Sequence, residues 1–177
     1  MNSNKQWIAL FSQTGSEIVD ISNVIGRFPD VVLCNKQSWE GINENLVGNA
    51  PIFFLDKIPT IEEYRSLLKK DAIITMHGWL RIVPQVICEQ YDIYNGHPGL
   101  ITKFPELKGK DPQLRAFEAK MKTGGCVLHK AVPEVDAGEI ISSSEIVIEN
   151  LSLFDLFGSL KKESTKLWVD FLKQKLS

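Results

Sequence analysis

Cysteine is scarce in this chain of 177 residues, and its three copies, Cys34, Cys88 and Cys126, lie far apart. The count is odd and no Cys-x-x-Cys pair occurs, which argues against a disulfide framework and against a structural zinc site. The three histidines show no i, i+4 spacing, so we expect no bound metal. Free thiols in a reducing compartment fit this pattern.

The sequence also lacks an excess of charge of one sign and any long apolar run. Its formal net charge of −2 gives no support to non-specific binding of nucleic acid or of an anionic membrane surface. No window approaches the length of a membrane span, and the apolar run near the start is too short for a signal peptide. We therefore expect a cytoplasmic protein with no nucleic-acid partner and no membrane partner.

What the sequence does contain is an alternation of short apolar runs with segments of helical periodicity. Strands are predicted at 7–11, 30–34, 51–55, 71–76 and 91–95, with helices at 16–26, 60–70 and 84–90 between them. Further along come a helix from 112, extended segments at 124–132 and 138–148, and a final helix from about 152 to 175. Such alternation is typical of an α/β fold with a mostly parallel sheet covered by helices on both faces. We predict a single domain over residues 1–177.

Several helix ends carry local signals. Thr60 with Glu63 predicts a capping box, and two lysines, Lys69 and Lys70, are expected in the last turn of the same helix. Thr14 with Glu17 predicts a second capping box. Gly26 is expected to be the C-cap of the helix predicted at 16–26. Asp111 and Pro112 are expected to begin the helix predicted from 112.

Ligands of such sheets bind beyond the carboxyl ends of the strands, which points to the loops after residues 11, 76 and 95. The last of these loops begins with Asn95, Gly96, His97 and Pro98, a stretch that also fits a simple turn. Asp136 lies in a later turn. If its carboxylate lies beside the His97 imidazole, it fixes the tautomer of the imidazole and favours the charged form of that ring.

Two other loops and one histidine are candidates with ordinary structural alternatives. Residues 12–17 form a glycine loop before a helix, which can bind phosphate or carboxylate, but they match neither G-x-G-x-x-G nor a Walker loop. Residues 77–84 form an apolar loop with one arginine, suited either to a flat aromatic ligand or to core packing. His129 is expected to be a half-buried structural histidine.

The order of three motifs resembles the 10-formyltetrahydrofolate-dependent formyltransferase family. That family carries Asn-x-His-Pro-x-Leu-x-x-x-aromatic, then Gly-x-x-x-His, then Asp-x-Gly on a loop. The matching positions here are Asn95, His97, Pro98, Leu100, Phe104, Gly125, His129, Asp136 and Gly138. The match is good over roughly residues 72 to 148, and the length resembles the single-domain glycinamide ribonucleotide branch.

The resemblance implies a Rossmann-like sheet, a folate formyl donor, 10-formyltetrahydrofolate, and no metal. It implies a catalytic trio of Asn95, His97 and Asp136. It assigns cofactor binding to two segments, whose residues are Leu80, Arg81, Ile82, Val83, Val132, Pro133, Glu134 and Val135. Substrate binding falls on Thr14, Gly15 and Ser16, although this loop has lost the family's first glycine and carries an acid, Glu17, in place of its final amide.

The resemblance implies an N-formyltransferase that acts on a small primary amine in one-carbon metabolism, with glycinamide ribonucleotide of purine biosynthesis as the first named substrate. Other acceptors remain open, such as an amino sugar nucleotide or another modified-nucleotide amine. Hydrolysis of 10-formyltetrahydrofolate and a non-catalytic folate-binding module remain open as well. The partners implied are the amine and the folate, and the protein is expected to be a monomer or a homodimer.

Overall fold

The structure is a computed structural model that describes residues 5–177. The strands in this part of the chain are β1 Trp7–Phe11, β2 Val31–Cys34, β3 Ile52–Phe54, β4 Ile73–Met76, β5 Ile93–His97, β6 Thr123–Lys130 and β7 Ile140–Val147. The α-helices there are α1 Ser16–Ile25, α2 Glu44–Asn49, α3 Ile61–Leu67, α4 Gln85–Gln90, α5 Pro112–Glu118 and α6 Leu153–Leu176. A short 3₁₀ helix covers Pro105–Leu107.

The strands form one sheet in the order β3-β2-β1-β4-β5-β6-β7. The first five strands pair in parallel, while β6 pairs antiparallel with β5 and β7 with β6. The predicted α/β class with a mostly parallel sheet is therefore confirmed. Strand order reverses around β1 and β4, so a crevice opens at their carboxyl ends, where ligands of open α/β sheets bind.

The apolar core lies on both faces of this sheet. Along β1, Trp7, Ala9 and Phe11 pack with buried residues of α1 and α6, whereas Ile8 and Leu10 pack with α3 and α4 on the opposite face. A strand buried on both faces explains why 7–11 is apolar throughout instead of alternating. A third cluster joins β6 to α5 and α6 under the antiparallel end of the sheet.

Several predicted helix and strand ends differ from the structure. The helix predicted at 60–70 begins with the expected Thr60 capping box but ends at Leu67, so the expectation of lysines in its last turn is wrong. Leu68 adopts an extended conformation, and its buried side chain packs against the β1–β4 layer. Strand β5 continues through His97, which places this imidazole on the sheet and not in the loop that follows.

The capping box predicted for Thr14 and Glu17 is also wrong. Gly15 is the N-cap of α1, in a left-handed conformation and without a side-chain cap. The Glu17 carboxylate turns inward instead: it lies 3.0 Å from His77 Nδ1 and accepts a hydrogen bond from the Ser164 hydroxyl. Partners from α6 and from the residue that directly follows β4 thus outweigh the local pattern, because they supply this carboxylate with two donors.

Candidate active site

A cleft of about 680 Å³ opens at the carboxyl ends of β1, β4 and β5. Its lining contains all three predicted catalytic residues and seven of the eight predicted cofactor-binding residues. The exceptions among the predicted site residues are Glu134, Thr14, Gly15 and Ser16, which do not line it. Residues that are far apart in sequence therefore converge where the topology predicts a ligand site.

The predicted catalytic trio meets at the base of the cleft. His97 Nδ1 lies 3.2 Å from Asp136 Oδ2, and both side chains are buried, at 6% and 8% exposure. Asp136 adopts a left-handed conformation with φ of 51°, which aims its carboxylate back at the sheet. Asn95 lies two residues before His97 on β5, so both side chains are on the same face of the strand.

His129 is a fourth member of this cluster; it is hydrogen-bonded as expected of a structural histidine, but the prediction that it is half-buried is wrong. The ring is buried, at 3% exposure; its Nε2 lies 3.3 Å from Asp136 Oδ1 and 3.2 Å from Asn95 Nδ2. Its Nδ1 donates to the Lys130 carbonyl at 2.8 Å. The antiparallel register pairs Asn95 directly with His129, and this non-local pairing explains why the sequence alone did not place the ring in the site.

Two backbone groups of the loop after β5 complete the cluster. His97 Nε2 lies 2.8 Å from the Leu107 carbonyl oxygen, and the Gly109 N–H donates to Asp136 Oδ2 at 2.8 Å. Both ring nitrogens of His97 thus face oxygen acceptors. A neutral imidazole has one N–H and satisfies only one of them, whereas an imidazolium satisfies both.

The electrostatics of the pair follow from burial and these contacts. Burial lowers the pKa of the His97 imidazole, and the Asp136 carboxylate and the Leu107 carbonyl oppose that shift without cancelling it. Burial alone would raise the pKa of the Asp136 carboxyl, but hydrogen bonds from His129 and the Gly109 amide outweigh it and lower the pKa. Burial thus favours the neutral form of the imidazole, whereas the carboxylate and the carbonyl that face its two nitrogens favour the imidazolium.

The predicted cofactor segments form two facing walls of the cleft. Leu80, Ile82 and Val135 are exposed there at 61%, 66% and 52%, an unusual concentration of bare aliphatic surface around one opening. Arg81 Nε donates to the Lys57 carbonyl at 2.8 Å, which ties the first wall to the chain that follows β3. Such walls suit a flat, partly apolar ligand.

The predicted substrate loop lies beside the cleft under α2. The Asn43 amide donates to the Thr14 carbonyl at 2.9 Å, and its side-chain nitrogen donates to Ser16 Oγ at 3.2 Å. A Cβ placed on Gly15 would lie 2.4 Å from Leu46 Cδ2, so this glycine is required by close packing as well as by its φ of 72°. From this loop region, Gln13 contributes to the cleft lining.

Within residues 5–177, none of the helices combines the length and the apolar character that a membrane-spanning helix needs. The same residues include no group of three or more His, Cys, Asp or Glu side chains arranged to hold a metal ion.

The chain is similar in sequence to known enzymes of two kinds, a formyltransferase and a deformylase. The chain is 33% identical over 102 residues to a phosphoribosylglycinamide formyltransferase of Dictyostelium discoideum, covering 53% of this chain and 48% of the relative. It is 29% identical over 160 residues to the mitochondrial formyltetrahydrofolate deformylase 2 of Arabidopsis thaliana, covering 88% of this chain and 45% of the relative. The chain thus spans less than half the length of these two relatives.

A solved structure and a family model extend the comparison to nearly the whole chain. A phosphoribosylglycinamide formyltransferase from Bacillus halodurans superposes with a TM-score of 0.81 at 23% identity, covering 98% of this chain and 96% of that one, which shows a shared fold. The family model described as formyl transferase matches residues 8–172. The chain therefore belongs to the formyl transferase family.

Proposed function

We propose that the protein transfers the formyl group of 10-formyltetrahydrofolate to the primary amine of a small molecule, with glycinamide ribonucleotide as the acceptor to test first. The observation that carries the proposal is the convergence of Asn95, His97 and Asp136 at the base of one cleft between two apolar walls. Family membership supports the reaction class, and the convergence of these side chains supports the roles proposed for them.

The proposed reaction needs positioning and charge stabilisation more than a strong nucleophile. The amine nitrogen attacks the formyl carbon, a new C–N bond forms, and the carbonyl oxygen becomes an oxyanion. The bond from this carbon to the folate nitrogen then breaks, and the proton lost by the amine ends on that nitrogen. Because both reactants are held in one cleft, orientation contributes a large part of the acceleration.

Asn95 is proposed to donate to the oxyanion. Asn95 Nδ2 carries two N–H groups, and only one of them can point at His129 Nε2, which lies 3.2 Å away. The second N–H of that amide remains for the substrate. Loss of one such donor elsewhere costs about 3 kcal/mol of barrier, which sets the expected contribution.

His97 is proposed to help move the proton that the attacking amine loses to the folate nitrogen, with Nε2 exchanging its contact to the Leu107 carbonyl for the substrate. Burial lowers the pKa of the imidazole, which favours its neutral form, and the Asp136 carboxylate stabilises the imidazolium that forms. The folate is proposed to lie between Leu80–Val83 and Val132–Val135, where exposed aliphatic side chains meet its ring.

The acceptor is proposed to enter from the side of the cleft that contains Gln13, beside Thr14, Gly15 and Ser16. Hydrolysis of the folate is the second candidate, since one relative is a deformylase and the same trio can activate water. The two activities differ only in the nucleophile, so the amine requirement distinguishes them.

The deciding experiment is absorbance-monitored turnover of a 10-formyl folate with glycinamide ribonucleotide, against a control without amine and against His97→Ala. Amine-dependent turnover that His97→Ala abolishes is the expected result. Equal turnover without amine would make the protein a hydrolase. Bound folate with no turnover in either condition would overturn glycinamide ribonucleotide as the acceptor.

A further inference from the structure

Arg115 on α5 makes four hydrogen bonds, and each one goes to a backbone carbonyl of the loop after β5. Its Nε donates to Lys110 at 3.0 Å, and its Nη2 donates to Leu107 and Lys108 at 3.1 and 2.7 Å. Its Nη1 donates to the carbonyl of Glu106. A single guanidinium therefore holds the backbone of residues 106–110.

The same short loop supplies both backbone contacts to the catalytic trio. The Leu107 carbonyl that accepts from Arg115 also lies 2.8 Å from His97 Nε2. Gly109, whose N–H donates to Asp136, lies between two residues whose carbonyls Arg115 binds. Arg115 is thus linked to His97 through the Leu107 carbonyl, and to Asp136 through the backbone on either side of the Gly109 amide.

Packing gives this loop little other support. Glu106, Lys108 and Lys110 are exposed, and Leu107 is the one buried side chain among residues 106–110. The planar guanidinium donates in several fixed directions at once, which a lysine ammonium on a flexible stem does not reproduce. Two backbone hydrogen bonds, from the Leu107 N–H to Phe104 and from the Lys108 N–H to Pro105, hold the start of the loop. The hydrogen bonds of Arg115 span it from Glu106 to Lys110 and so restrain where the Leu107 carbonyl and the Gly109 amide point.

We propose that Arg115 is a positioning residue, which acts through this loop to hold His97 and Asp136 in their reactive arrangement. The predicted effect on kcat rests on the proposed function. The predicted restraint of residues 106–110 by Arg115 does not, because it can be measured without any activity. Small displacements of reacting groups cost up to about 100-fold in rate. Because Arg115 does not itself line the cleft, its replacement should affect the rate more than donor binding.

The test compares Arg115→Lys with the wild type. Lysine keeps the positive charge near His97 but lacks the planar set of donors of the guanidinium. A change in rate would therefore reflect the position of the loop and not the loss of a charge. We expect kcat to fall by about 10- to 100-fold while the KM for the folate stays within about twofold. Arg65→Lys is the matched control, since Arg65 makes one exposed hydrogen bond, to Gln90, and should keep wild-type kcat.

Amide hydrogen exchange supplies a readout that needs no activity. In Arg115→Lys the Gly109 amide should exchange at least about tenfold faster, while amides of β1 and β4 stay protected, which also shows that the variant folds. A kcat within twofold of wild type, or unchanged Gly109 exchange, would overturn the inference. If the wild type proves inactive with every amine, the proposed function fails, and Gly109 exchange still decides whether Arg115 restrains the loop.

Discussion

Replacing Asp136 by asparagine is the most direct test of the catalytic cluster, because this side chain contacts both imidazoles and the Gly109 amide. One carboxylate oxygen lies 3.2 Å from His97 Nδ1 and accepts from the Gly109 amide; the other lies 3.3 Å from His129 Nε2. Asparagine keeps the volume but removes the charge and turns one acceptor into a donor. The new side-chain N–H groups of asparagine then face either the His129 ring, or the His97 ring and the Gly109 N–H, and that N–H is left without an acceptor.

The expected magnitude follows from what the charge does in the reaction. The carboxylate raises the pKa of the His97 imidazole against the effect of burial, so the variant should hold its imidazolium more weakly. A comparable loss of a carboxylate beside a catalytic imidazole lowers kcat by about 10⁴-fold. The Leu107 carbonyl compensates in part, so we expect kcat to fall by about 10³- to 10⁴-fold. This fall corresponds to about 4 to 5.5 kcal/mol of activation free energy.

The assay measures kcat and KM for both substrates at pH 7.5 or thereabouts, with Asp92→Asn as control. Asp92 forms an exposed ion pair with Lys130 at 3.1 Å, outside the cleft, so its variant should keep wild-type kcat. Circular dichroism and urea unfolding check that Asp136→Asn folds. A folded Asp136→Asn enzyme within tenfold of wild-type kcat would refute the role assigned to this carboxylate.

Three further predictions concern the cleft wall, the strand behind the site and the first helix. Arg81→Ala should weaken folate binding by about tenfold in a fluorescence titration, since it releases the wall from Lys57; unchanged affinity would remove this wall from the site. Gly96→Ala should cost about 1–3 kcal/mol in urea unfolding, because a Cβ there would lie 2.8 Å from Nε1 of the buried Trp168. Glu17→Gln should be less stable than wild type at pH 7; since the pKa of Glu17 is lowered in the folded state, the deficit should shrink as pH falls below about 4. A pH-independent deficit would contradict the ionised state assigned to Glu17.

The strands could be predicted from the sequence because their signal is local and unambiguous. Residues 7–11 and 73–76 are buried along their whole length, and an uninterrupted apolar run is what a central parallel strand requires. Once the strands alternate with helices, topology places their carboxyl ends on one edge, so Asn95 and His97 could be located at a ligand site before their neighbours were known.

Helix ends were harder to predict because the competing interactions are not local. The same Thr-x-x-Glu pattern caps α3 at Thr60 but fails at Thr14. Both carboxylates are partly exposed, and the difference lies in their partners: Glu63 bonds to backbone amides near its own helix, while Glu17 faces His77, directly after β4, and a hydroxyl of α6, 147 residues away in sequence. A carboxylate with charged or polar partners in the interior gains more from them than from one helix amide.

The role of His129 depends on a register that no local pattern specifies. The sequence contains the histidine and the Gly-x-x-x-His spacing. Alternation along the strand, however, predicts only on which face of the sheet the ring lies, and not which residues it contacts there. The antiparallel pairing of β5 with β6 sets Asn95 opposite His129, and a shift of one residue would move the ring to the other face of the sheet. Because Asp136 also reaches this ring, the register of one strand pair fixes the amide, both imidazoles and the carboxylate together. A substitution that slips this register should therefore remove all four contacts at once, which makes the β5–β6 pairing part of the active-site geometry.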